Sequence, residues 1–143
     1  MIREVSSGRL FLGNAQDCRN LRSLHDHDIA AVVDLAIDEP PAQLAREMIY
    51  CRIPLLDGDS NSDALIETAI RCVASLVSRD FRTLVACSGG MSRSPVIAAA
   101  MAVIYGQKSM ESHLCTILTG APQEVSPGLW SSVKRVLSQL DPG

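Results

Sequence analysis

The chain predicts an α/β fold: one domain with a central, mostly parallel sheet flanked by helices. Three observations carry this. Short apolar runs suited to buried strands, such as Ile29–Leu35 and Phe81–Ala86, alternate with segments whose apolar residues recur at helical spacing. Alternating strands and helices need crossover connections, which favour parallel pairing. No repeat, low-complexity tract or linker breaks the alternation, so residues 1–143 read as a single domain long enough to bury a core.

Taken in order, Arg9-Leu10-Phe11-Leu12 is a short strand ended by the turn pair Gly13-Asn14. Asp17 is placed to cap a helix carrying Leu21 and Leu24 on one face. Ile29–Leu35 follows as a buried strand, and Pro40-Pro41 opens a loop or short helix through Arg46. Met48–Leu56 reads as a strand with Pro54 near its end, and Asp57–Ser62 as a loop by composition. Leu65, Ile66, Ala69, Ile70, Val73, Leu76 and Val77 place a helix over Asp63–Arg79. Phe81–Ala86 is the next strand. Ser94–Tyr105 is almost wholly apolar and therefore a helix buried on most sides, with Gly106 as its stop. Helices over Ser109–Leu118 and Pro127–Leu140 complete the chain.

Composition narrows the function. Only 3% of residues are aromatic, so aliphatic side chains must build the core. A net charge of −3 argues against general affinity for nucleic acid or anionic membranes. The N-terminal residues lack the apolar core of a signal peptide, and no apolar run reaches bilayer-spanning length. Five cysteines at irregular spacing, with no Cys-x-x-Cys pair, read as a reduced, cytoplasmic protein and not a disulfide scaffold. Cys51, Cys72 and Cys115 fall within apolar patterns and read as small core residues. His25, His27 and His113 have no cysteine partners at ligand spacing, so no metal is expected. Arg19, Arg22, Arg46, Arg52 and Arg71 form no run and read as solvated surface.

The chemistry concentrates in Ala86-Cys87-Ser88-Gly89-Gly90-Met91-Ser92-Arg93-Ser94-Pro95. A cysteine follows a strand, a loop of small residues comes next, an arginine closes the loop, and Ser-Pro opens the apolar helix. Successive backbone N–H groups in such a loop converge on one point, and the helix N-terminus adds positive potential. Gly89 and Gly90 permit the positive φ values that such a turn tends to need. Arg93 can offer parallel donors to two phosphate oxygens. The same field favours thiolate at Cys87, the reactive form. Cleaving a phosphate ester also needs a proton for the departing oxygen. Asp57 stands 30 residues before Cys87, at the end of a strand expected to lie parallel to the cysteine strand, so both strand ends would meet at one sheet edge. Asp59 lies in the same loop and is the alternative acid. Ser94 can cap its helix.

These residues resemble the signature of cysteine-dependent phosphatases, in which a cysteine is followed by five residues, an arginine and then serine or threonine. CSGGMSRSP is similar to the dual-specificity branch, as are GRLFLGN, IAAVVDLA, YCRIPLLDGDSN and VSPGLWSSVKRVL, in the family order over roughly Val5–Leu140. The resemblance implies a phosphatase-type fold with its signature loop between strand and helix, and a two-step reaction without cofactor or metal. Cys87 forms a phosphocysteine and Asp57 serves as acid and then base. The backbone of Ser88, Gly89, Gly90, Met91, Ser92 and Arg93, with the Arg93 side chain, holds the phosphate oxygens, so phosphate or sulfate is expected there. Ser94 helps the sulfur leave in the second step. The implied substrate is a phosphorylated protein or peptide, bearing phosphotyrosine and phosphoserine or phosphothreonine.

Ala86 departs from the pattern, because the family carries a histidine before the cysteine. Alanine makes no side-chain hydrogen bond, so a less favoured thiolate than in typical members is expected. The alternative reading is a low-activity or pseudophosphatase module that binds phosphate. The loop carries none of the lysines of phosphoinositide phosphatases and neither the His nor the Asn of RNA-end phosphatases, which disfavours both.

Overall fold

A computed structural model describes residues 2–6, 8–105 and 125–140. The elements are β1 (Arg3–Ser6), β2 (Leu10–Asn14), α1 (Ala15–Arg19), α2 (Leu21–Asp26), β3 (Ala31–Ala36), β4 (Ile49–Leu55), α3 (Asp63–Ser78), β5 (Thr83–Cys87), α4 (Arg93–Tyr105) and α5 (Pro127–Leu140). The expected helix over Ser109–Leu118, the Gly106 stop, Cys115 and His113 lie outside the described residues.

The five strands form one sheet in the order β1-β2-β5-β3-β4. Only the β1–β2 pairing is antiparallel; β2–β5, β5–β3 and β3–β4 are parallel. The four parallel strands therefore end at the same edge, where Asn14 leads straight into α1 and Cys87, Ala36 and Leu55 hand over to loops. The edge strand β1 has too few residues and too little apolar character to be visible as a pattern. It is defined by pairing Arg3 with Leu12 and Glu4 with Phe11.

Side chains alternate across a strand, so each strand serves two cores. Leu10, Leu12, Val33, Leu35, Val85 and Cys87 face the larger core, with Ile66, Ile70 and Val73 of α3, Val96–Ala100 of α4, and Leu129, Val133 and Val136 of α5. Phe11, Val32, Leu84 and Ala86 face the smaller core, with Cys18 and Leu24. Cys87 and Ala86 thus point to opposite faces of the sheet. α4 is apolar all round, as its sequence predicts, and Val96 through Ala100 are fully buried.

The first helical segment corrects the sequence reading. Asp17 does not cap a helix carrying Leu21 and Leu24. Asn14 caps α1 by accepting from the Asp17 N–H (2.9 Å), while the Asp17 carboxylate accepts from the Asn14 N–H (2.8 Å). This is a reciprocal capping box. A second cap, Asn20, then starts α2, leaving Leu24 buried and Leu21 exposed. Two asparagines break what periodicity alone reads as one helix.

The capping box lies directly beside the end of β5, since Asn14 pairs with Cys87. We expect Asn14→Ala to lower stability by about 1 kcal/mol, read as a shift in the urea midpoint at unchanged slope. An unchanged midpoint would show that the box contributes nothing net.

Candidate active site

The loop after Cys87 is shaped by its contact with the β2–α1 junction. Gly90 has φ +76°, and a Cβ there would sit 2.9 Å from the Gly13 carbonyl oxygen. Both the backbone angle and the contact demand glycine. Ala15 N–H donates to the Ser88 carbonyl (3.2 Å), and Gly90 N–H donates to the Cys87 sulfur (3.2 Å). The Ser88 hydroxyl donates to the Glu39 carboxylate (2.8 Å). Those bonds order the loop although residue 86 is alanine, whose side chain lies in the smaller core.

Cys87, Ser88, Gly89, Met91, Ser92 and Arg93 line a cavity of about 250 Å³, together with Asp57 and Asp38. The structure therefore brings Cys87, Arg93 and Asp57 together, although β3 lies between their parent strands in the sheet. Asp59 does not line the cavity; its Cβ lies close to Gly128 at the start of α5. Gly90 sits beneath the loop against Gly13. Ser94 is not the helix cap expected from the sequence. The Ser92 carbonyl accepts the Val96 N–H, so α4 begins at Arg93 and Ser94 is in its first turn, fully buried.

Arg93 is the dominant charge. Its side chain is only 6% exposed, and its Nη1 donates to Asp38 Oδ1 (2.8 Å) and to the Leu55 carbonyl (2.9 Å). Burial works against its charge, but the hydrogen bond to Asp38 and the neighbouring Cys87 and Asp57 outweigh it and raise the guanidinium pKa. In return the Arg93 hydrogen bond holds the Asp38 carboxyl below its usual range. Arg93 Nε and Ser94 Oγ are buried without a hydrogen-bond partner among the described residues. Leaving a buried polar group unmatched costs about 1–3 kcal/mol.

Asp38 and Glu39 were not found from the sequence. The one available signal is an acidic pair directly after β3, at the sheet edge where Cys87 ends. Arg52, expected on the surface, is instead half-buried and anchors this segment. Its Nη2 donates to the Ala36 and Glu39 carbonyls (3.1 and 2.6 Å). Arg19 donates to the Glu39 carboxylate and the Pro40 carbonyl. Two other cysteines are poor nucleophiles: burial, with Asp34 and Asp17 nearby, pushes Cys18 up to about 12, and burial beside Cys51 does the same to Cys72.

Residues 11–107 match the model of the family described as "Tc-R-P: Polymorphic toxin system, DSP-PTPase phosphatase". The chain belongs to this phosphatase family. The fold agrees with solved dual-specificity phosphatases. Human DUSP28 superposes with a TM-score of 0.83 at 23% identity, over 98% of this chain and 97% of that one. A mouse dual specificity phosphatase complexed with zinc tungstate gives 0.83 at 21% identity, over 97% of this chain and 87% of that one. PTPMT1 in complex with PI(5)P gives 0.77 at 14% identity, over 97% and 96%. No curated protein shows significant sequence similarity to the chain. Among the described residues of this phosphatase-family chain, no helix is long and apolar enough to cross a membrane.

Two outcomes test this geometry. Gly90→Ala forces positive φ on a residue with a Cβ, at about 1–2 kcal/mol for the angle alone, and adds the clash with Gly13. A lower urea midpoint and weakened phosphate binding by calorimetry are expected; wild-type values for both would refute the close contact. Because Asp38 is depressed by Arg93, its contribution to stability is present above the ordinary carboxylate pKa and is lost as pH falls through the lower folded value. Urea midpoints of wild type should therefore fall more steeply on acidification than those of Asp38→Asn. Parallel curves would contradict the pairing.

Proposed function

We propose that the chain is a phosphate monoester hydrolase working through a phosphocysteine, with phosphotyrosine and phosphoserine or phosphothreonine of proteins as substrates. One observation carries the reading: a thiol, a buried guanidinium and a carboxyl from separate elements open onto one cavity, at Cys87, Arg93 and Asp57. In this mechanism the Cys87 thiolate attacks phosphorus in line with the leaving oxygen. The S–P bond forms, the P–O bond breaks, and Asp57 gives its proton to the leaving oxygen. The N–H groups of residues 88–93 and the Nε edge of Arg93 hold the equatorial oxygens, where negative charge concentrates. Water then attacks phosphorus while Asp57 takes its proton. The S–P bond breaks, with the buried Ser94 hydroxyl as donor to the departing sulfur. The mechanism uses no metal.

The lining supports a substrate with one phosphate. Among the described residues that line the cavity, Arg93 is the one cation, and Asp38 and Asp57 are carboxylates. A headgroup with further phosphates would face those carboxylates without added cations. The family description also mentions polymorphic toxin systems. Ala86 favours the second reading, a phosphate-binding module with little turnover.

Hydrolysis of para-nitrophenyl phosphate in EDTA decides between the two. We expect turnover by wild type and loss to background for Cys87→Ser. An inactive wild type that still binds a phosphopeptide would sink the enzyme reading in favour of the binding module.

A further inference from the structure

Ser92 carries two hydrogen bonds that the scheme above does not use. Its side chain lies at the end of the loop, in a residue that is only 6% exposed. Its hydroxyl donates to Asp57 Oδ1 at 2.6 Å and accepts from the Ser126 N–H at 2.9 Å. We propose that Ser92 is a positioning residue that aims the acid Asp57 at the leaving oxygen and decides which carboxyl oxygen carries the proton. This rests on the reading of Asp57 as the acid.

A serine hydroxyl has one hydrogen to donate and two lone pairs to accept with. The Ser126 N–H, fixed just ahead of α5, occupies a lone pair and so turns the hydroxyl hydrogen away from itself. Asp57 Oδ1 is the acceptor it meets. The 2.6 Å separation falls in the short range of bonds to a carboxylate. With the hydroxyl hydrogen directed at Oδ1, the transferable proton is left to Oδ2.

The need for such a tie follows from where Asp57 sits. It is exposed, on a loop that leaves the end of β4. Asn61 holds the loop backbone, accepting from the Leu56 N–H and donating to the Leu56 carbonyl, both at 2.8 Å. That staple leaves the Asp57 side chain free to rotate. Ser92 removes the freedom, and it does so from the same loop that is proposed to hold the phosphate. Acid and phosphate are thereby fixed relative to one another, the condition for an efficient proton transfer.

The test compares kcat/KM, which reports formation of the phosphocysteine, across aryl phosphates from 4-nitrophenyl to phenyl phosphate. A poor leaving group needs the acid and a good one does not. We expect Ser92→Ala to lower kcat/KM about 10-fold on phenyl phosphate and little on 4-nitrophenyl phosphate, a part of the roughly 10²–10⁴-fold that a general acid contributes. Ser92→Thr should restore the wild-type dependence. Ser92→Cys keeps the volume with a weak donor and should repeat the selective loss, which serves if the alanine form does not fold. In an Asp57→Asn background Ser92→Ala should cost nothing further. An equal loss on every substrate, a further loss in that background, or a wild-type rate on phenyl phosphate would each overturn the proposal while leaving Asp57 as the acid. If Asp57→Asn leaves the leaving-group dependence unchanged, the acid lies elsewhere and both readings fall.

Discussion

The backbone contact between Gly90 and the Gly13 carbonyl is the constraint on which the site depends. Parallel pairing sets Gly13 beside Ala86 and Asn14 beside Cys87. The turn after β5 must therefore fold back over the β2–α1 junction. It does so with a residue at φ +76° that has no Cβ, lying on a carbonyl that a methyl group would strike. Once that contact is made, Ala15 N–H meets the Ser88 carbonyl and Gly90 N–H meets the Cys87 sulfur. The curvature of the loop, and hence the convergence of its N–H groups, is a consequence of backbone packing and not of side-chain chemistry. This explains how the loop is tied down with alanine at position 86. Residue 86 points into the smaller core, while the loop is tied through Gly13, Ala15 and Glu39.

A second constraint is electrostatic. Arg93 is a guanidinium taken almost out of water, a costly placement unless its donors are matched. Asp38 and the Leu55 carbonyl together use Nη1, and Nε is buried without a hydrogen-bond partner among the described residues. The loops after β3, β4 and β5 each contribute one part: Asp38, Asp57 and the signature loop itself. Parallel strands make that convergence unavoidable, because their C-terminal ends share one edge of the sheet. The segment after β3 is anchored in turn by Arg52 and Arg19, which hold Glu39 and its neighbours by backbone and side chain.

Much of this was legible in the chain. The strand β5, the loop and the apolar helix α4 follow from local pattern, since an apolar run, adjacent glycines and a helix without a polar face each have few structural solutions. Asp57 followed from topology, because a parallel strand end reaches the same edge whatever lies between. The choice of Asp57 over Asp59 for the cavity did not follow, since two aspartates two residues apart in a loop have no periodic signature. Asp38 was missed because its partner is 55 residues away, and an acidic pair beside two prolines reads as ordinary surface. Arg52 was misread for the same reason: alternation along β4 does not say which carbonyls lie beside it. The break between α1 and α2 turned on caps at Asn14 and Asn20 that outweigh a continuous apolar stripe.

By itself the sequence determined the α/β class, the order of the main elements and the loop from Cys87 to Arg93, because these depend on patterns read within a dozen residues. The tertiary structure alone decided how Arg93 is held, that Asp57 and not Asp59 lines the cavity, and that the Ser92 hydroxyl lies between Asp57 and the start of α5. Each of these is a hydrogen bond or a contact between residues far apart in the chain. Their geometry exists only once the sheet has fixed its register and the two cores have set the helices on its faces.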